Sequence, residues 1–298
     1  MSVNSGAVNS GHFNSPDFAT HMTLPALSTN VLGNRVLLPL MQRYFAARVQ
    51  FSSKPHQFLF VLSHMRAGSS LLVHLLNTHP KICGYGETHC SYNSDRDLFN
   101  LVGNIKYHLK QVHLNEHIFI DKLLHDGHAI NNDMISLERV KFVFLIREPH
   151  AAIASMLKLW PHARSPAGRI KAIKYYSNYY IARLKVLEHY AAAIADQQRM
   201  LFLTHDALVN RTQDAFTGFQ QLLQVEAEFS EQYETTPVTG KVGVGDPSAT
   251  IAAGRVVRTP KFSSTLEIEP ECLQAFENCT RRLGELCSLS TAATFASN

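Results

Sequence analysis

Two segments of this chain share one layout, and that layout limits what the chain can fold into. Phe58 to Leu76 reads FLFVLSHMRAGSSLLVHLL, and Lys141 to Ser155 reads KFVFLIREPHAAIAS. Each is an apolar run of strand length that ends on an arginine, Arg66 or Arg147, and then turns into a helical pattern. Strand, turn and helix N-terminus in that order is how α/β proteins aim backbone N–H groups and a helix dipole at an anion. Two such units in one chain point to two anion cradles.

The rest of the chain fits around these units. Phe58 to Ser63 predicts a buried strand and Ser69 to Asn77 the helix after it, closed by Thr78-His79-Pro80, since proline disfavours helical geometry in the residue before it. Phe142 to Ile146 predicts a second strand, with Pro149 in the first turn of a helix reaching Leu159. Ile170, Ile173, Tyr176, Tyr180, Leu184, Leu187, Ala191 and Ile194 recur at the three-and-four spacing of one long helix over Arg169 to Ile194. Met200 to Thr204 is a third strand and Gln213 to Leu223 another helix. Leu273, Phe276, Leu283 and Leu286 mark a closing helix. Strand and helix therefore alternate, which predicts an α/β fold of P-loop-like, three-layer form with a central parallel sheet flanked by helices.

Other stretches are less regular. Residues 1–23 repeat Asn, Ser and Gly without the basic start and apolar core of a signal peptide, and read as a disordered tail ahead of a single domain over 24–298. Val36 to Val49 reads as a helix interrupted near Pro39. Between Asn93 and Asn132 only Ile118 to Lys122 stands out as a strand, and the remainder reads as substrate-facing elaboration. Thr239 to Gly254 reads as a long mobile loop.

Composition narrows the function classes. No apolar run approaches the roughly 18 residues of a membrane span, so no membrane partner is expected. The net charge of +4 comes from scattered basic residues, which does not indicate a nucleic-acid surface. Five cysteines without a CxxC pair argue against a disulfide framework and fit a reducing cytoplasm. Cys83, His89 and Cys90 lie close together, but buried thiols account for them more simply than a metal site. HExxH is absent, and no metal is expected.

The chemistry concentrates at Arg66-Ala67-Gly68-Ser69-Ser70. Gly68 lets the backbone approach an anion, and the serines add hydroxyl donors. A nucleoside-triphosphate P-loop needs GxxxxGK[ST]; here Ser63 stands at the first glycine position and Ser69 at the lysine position, which disfavours an NTPase.

This segment resembles the 5′-phosphosulfate loop of sulfotransferases that use 3′-phosphoadenosine 5′-phosphosulfate (PAPS). His79-Pro80 and Gly86-Glu87 follow in the order seen in tyrosylprotein-type and many bacterial members. Arg147 and Ser155, eight apart, are similar to the family's 3′-phosphate motif, and Asp121-Lys122 resembles a third signature. The resemblance covers Phe58 to about Leu223. It implies PAPS as sulfuryl donor, the bisphosphate PAP as product, and a cofactor site of Arg66, Ala67, Gly68, Ser69, Ser70, Arg147 and Ser155. It further implies Arg66 and Lys122 as cations at the leaving oxygens and Glu87 as the base, with His89 the runner-up. The late stretch Gly245 to Arg258 departs from the family's RKG pattern, with Arg255 the candidate second 3′-phosphate ligand.

The acceptor expected is a small molecule carrying a hydroxyl or nitrogen nucleophile, a natural product in a bacterial tailoring pathway. Glu87, Asp95, Asp97, Glu116 and Asp126 would make an electronegative pocket for a cationic acceptor such as a guanidinium alkaloid toxin. A small-molecule kinase and a noncatalytic nucleotide-binding protein are the alternatives. Oligomeric state stays open, a homodimer included.

Overall fold

A computed structural model describes residues 33–159, 165–237, 239–240, 249–258 and 266–291. The expected tail at 1–23, and residues 241–248 of the expected loop at 239–254, lie outside them.

A π-helical turn, Gly33–Leu37, runs into helix α1, Leu38–Gln50. Pro39 therefore opens an α-helix instead of interrupting one, as suits a residue whose missing N–H would have no intrahelical partner in the first turn. Strand β1, Gln57–Ser63, leads to α2, Ser69–Leu76, and the short β2, Ile82–Gly84. Then come α3, Asp95–Leu109, β3, Ile118–Leu123, and α4, Asn132–Ser136. Strand β4, Val140–Ile146, precedes α5, Pro149–Leu157, and α6, Pro166–Ala193. Strand β5, Met200–Thr204, is followed by α7, His205–Asn210, and α8, Thr212–Leu223. The four-residue α9, Ala249–Ala252, the helix α10, Glu271–Leu286, and β6, Leu289–Ser290, complete the order.

The six strands form one parallel sheet in the order β2-β3-β1-β4-β5-β6. Its strands are apolar without alternation because both faces are covered. Phe58, Phe60 and Leu62 of β1 join Phe142, Phe144 and Ile146 of β4 in a core closed by α1, α3, α5, α6 and α10. Leu59 and Val61 join Val143, Leu145, Leu201 and Leu203 in a second core beneath α2 and α8. The three-layer α/β expectation holds. Within the long helix, Tyr176, Tyr180, Leu184 and Leu187 are core as expected, but Ile170 is exposed.

The segment expected to face substrate is largely a packing helix. Ser94 and Asp97 form a capping box at the start of α3, each satisfying a backbone N–H that the helix leaves unpaired. Leu98, Leu101, Val102 and Ile105 then bury one face in the first core. A Cβ at Gly103 would lie 2.4 Å from Gln42 Cα, so glycine sets how closely α3 meets α1.

Candidate active site

All six strands point the same way, and the turns leaving the C-terminal ends of β1 and β4 lie side by side because these strands pair directly. In open parallel sheets this end holds ligands. The β1–α2 turn bends through Arg66 at φ 63° and Gly68 at φ 100°. An arginine in the left-handed region costs on the order of 1 kcal/mol or more and persists where the surroundings hold it. Gly68 has a second constraint: an added Cβ would sit 2.8 Å from His205 Cδ2. Among the described residues no side chain caps α2, so its first-turn N–H groups are available to an anion.

Three interactions tie this turn to β4. Arg147 Nη1 donates to Arg66 O at 3.1 Å. The Arg147 backbone N–H donates to His64 Nε2 at 3.0 Å, which requires Nδ1 to carry the proton it shares with Met65 O at 2.8 Å. Arg66 Nε donates to Ser155 Oγ at 2.9 Å. The arginine expected at one cradle thus touches the serine expected at the other. Burial holds His64 near pKa 4, and burial together with Arg147 holds His205 near 3. Both imidazoles are neutral at pH 7, so they support the arginines without adding charge.

Beneath the turn lies Arg183 of α6, 1% exposed. It donates from Nε to Ser63 O at 2.9 Å and from Nη2 to Leu123 O at 2.5 Å, and pairs through Nη1 with Asp126 Oδ1 at 2.6 Å. Tyr180 Oη donates to Arg147 O at 2.6 Å. Tyr179 Oη accepts from Met65 N at 2.9 Å and donates to Leu124 O at 2.7 Å. One helix therefore pins the ends of β1, β3 and β4.

Lys122, at the end of β3, is buried next to the same turn. Its Nζ donates to Ser70 Oγ at 3.3 Å and lies 3.8 Å from Glu87 Oε1. Lys122 therefore stands between the anion turn and the candidate base. Its neighbour Asp121 accepts from Thr88 N at 2.9 Å, from Thr88 Oγ1 at 2.6 Å and from Tyr92 Oη at 2.6 Å. These bonds anchor the Glu87 loop. Burial still raises Asp121 to about 6, outweighing the hydrogen bonds that lower it.

The structure thus brings Arg66, Ala67, Gly68, Ser69, Ser70, Arg147, Ser155, Lys122 and Glu87 to one end of the sheet. Arg255 is exposed; its backbone bridges Gln232, and its carbonyl accepts from Tyr233 Oη at 3.4 Å. His89, at φ 53°, has its ring 5.7 Å from that of His128. Cys83 is buried, its thiol pushed up to about 12 by burial, and Cys90 donates to Thr88 O.

The expected electronegative pocket does not form. Asp95 pairs with Arg139, Asp97 caps α3, Glu116 pairs with buried Lys106 at 2.6 Å, and Asp126 pairs with Arg183. These carboxylates are committed to structural cations and a helix cap, which leaves Glu87 at the site. Sequence reasoning missed His64, His205, Arg183, Thr88 and Tyr92.

No family model and no curated protein matches the sequence. Comparison with solved structures does find relatives of the fold. The chain is similar to the sulfotransferase domain from the curacin biosynthetic pathway, with a TM-score of 0.51 and 16% identity over 77% of this chain and 99% of that one. It is also similar to retinol dehydratase, solved with androsterone and the inactive cofactor PAP, with a TM-score of 0.38 and 17% identity over 63% and 66% of the two chains. The parallel sheet and its two helical layers have the fold of a sulfotransferase domain.

Proposed function

We propose that this protein is a PAPS-dependent sulfotransferase acting on a hydroxyl or nitrogen of a small-molecule acceptor. The observation that carries this reading is the joining of the two cradles through Arg66, Ser155 and Arg147. A ligand phosphorylated on both sides of its ribose needs two anion sites on adjacent strands, and a simple triphosphate needs one. The donor set of two guanidiniums, a buried ammonium, three serine hydroxyls and uncapped N–H groups suits phosphate and sulfate oxygens. PAPS supplies the sulfuryl group when bound.

The remaining chemistry belongs to the chain. Arg147 and Ser155 hold the 3′-phosphate, while the 66–70 turn holds the 5′ end. Arg66 and Lys122 stabilise charge on the leaving oxygen, where preorganised cations act most strongly. Glu87 takes the acceptor's proton, and Lys122 fixes the carboxylate next to the reacting end. Asp121, Thr88 and Tyr92 position this loop without touching substrate. The proposal treats residues 24–298 as one catalytic domain working in the cytoplasm. With four of the five acids engaged elsewhere, it does not include a cationic acceptor.

Thermal unfolding with and without PAP tests the reading. PAP at 100-fold over its dissociation constant stabilises the protein by about 2.7 kcal/mol, a rise of several degrees that ATP with magnesium does not reproduce. A rise with ATP and none with PAP would instead support a kinase.

A further inference from the structure

A second feature lies at the opposite end of the sheet. Val36, Leu37, Leu40 and Tyr44 of the first helical segment are each about half exposed, and Phe51 at its end is 82% exposed. Leu37, Leu40, Tyr44 and Phe51 fall on one stripe by helical spacing. This is the face away from Phe45 and Val49, which pack into the core. α1 thus has two apolar faces, one of them without a protein partner among the described residues.

The stripe ends beside a cavity of about 490 Å³ at the N-terminal ends of β1 and β3. Phe51 forms part of its wall, together with Arg48, Ser52, Ser53, Lys54, His56 and His117. Arg48 and Lys54 bring two cations to this wall, with the imidazoles of His56 and His117 beside them as further hydrogen-bonding groups. No Asp or Glu occurs between Asp17 and Glu87, and the acid next to His117, Glu116, is taken by Lys106. His56 and His117 rings lie 5.7 Å apart, and His117 Nδ1 is buried without a hydrogen-bond partner. Arg43 flanks the stripe by helical spacing, and the Arg48 guanidinium lies 5.8 Å from the Tyr44 ring centre.

We propose that α1 and this cavity form a docking surface for an anionic phospholipid membrane, with the Leu40, Tyr44 and Phe51 side chains entering the interface and the Arg48–Lys54–His56–His117 cavity taking a lipid phosphate. A basic helix with exposed aromatic and leucine side chains has the composition of an interfacial helix. This is attachment to a surface and not a span, since no helix among the described residues is long and apolar enough to cross. Seven residues of β1 separate the cavity from the anion turn, about 20 Å, so the docked protein keeps its opposite end open to solvent. The inference stands apart from sulfuryl transfer and survives or fails without it.

Sedimentation of the full chain with phosphatidylcholine vesicles, with and without phosphatidylglycerol, tests it. The protein pellets with the anionic vesicles only, and high salt releases it. Arg48→Gln with Lys54→Gln lowers partitioning by roughly five-fold per cation. Leu40→Ser with Phe51→Ser lowers it by roughly ten-fold or more, with the melting temperature kept, because both side chains are exposed. Failure to pellet at low salt, equal pelleting with neutral vesicles, or binding of inorganic phosphate without vesicle binding would overturn the proposal. So would a dimer in solution that Leu40→Ser dissociates, which would assign the stripe to a second copy.

Discussion

Arg66 Nε donates to Ser155 Oγ at 2.9 Å, joining two residues 89 apart in the chain. The serine sits in the last turn of α5, on the helix that Pro149 and Glu148 start, with Glu148 accepting from the first-turn N–H groups of His150 and Ala151. The bond helps hold Arg66 in its left-handed conformation and ties its guanidinium to α5.

Ser155→Ala removes that bond and the hydroxyl assigned to the 3′-phosphate. A hydrogen bond to a charged group contributes about 1.5–3 kcal/mol, so PAP affinity falls by roughly ten-fold to a hundred-fold. Calorimetric titration reads the change. Unchanged affinity would remove Ser155 from the cofactor site.

Glu87→Gln separates binding from chemistry. The substitution keeps the size of the side chain and the loop held by Asp121, so PAP binds as in the wild type while turnover falls by roughly two to four orders of magnitude. Turnover that survives with an acceptor in hand would move the base to another group, with His89 next to test.

Acid weakens the fold through its buried histidines. Burial depresses His64 and His74 to about 4 and His205 to about 3. Their unfolded values lie near 6.5, so the unfolded chain binds more protons than the native one between about pH 6.5 and 4, and stability falls as pH drops through that window. Each group contributes up to about 1.4 kcal/mol per pH unit. Asp121, raised to about 6, works in the opposite sense, because its native state binds the extra proton. Three groups outweigh one. Urea midpoints at pH 7 and pH 5 check the sum, and His205→Gln flattens the slope. A midpoint that rises on acidification would contradict this balance.

Much of the sheet was legible because its signals are local. Apolar runs at Phe58, Phe142 and Met200, and the Arg-Ala-Gly-Ser-Ser turn, declare themselves within a few residues. The supports of that turn do not. Arg183 reads as one more polar position on a long helix, and only the fold brings it under Ser63, Leu123 and Asp126. His64 and His205 gain their roles only where the turn after β1 meets the ends of β4 and β5, His64 against the Arg147 backbone and His205 against Gly68. Helix α3 was obscured by its histidines and acids, although Ser94 with Asp97 is a capping-box pattern that marks its start. Strand β2, three residues long, is too short for periodicity to show. The acidic cluster misled because proximity in sequence says nothing of partners such as Lys106, Arg139 and Arg183.

The most direct test of two joined cradles is calorimetric titration of the wild type and of Arg147→Ala with PAP, and with ATP and magnesium in parallel. The account predicts tight PAP binding by the wild type, a loss of roughly a hundred-fold in Arg147→Ala, and no comparable ATP binding. PAP binding that ignores the substitution, or a preference for ATP, would contradict it.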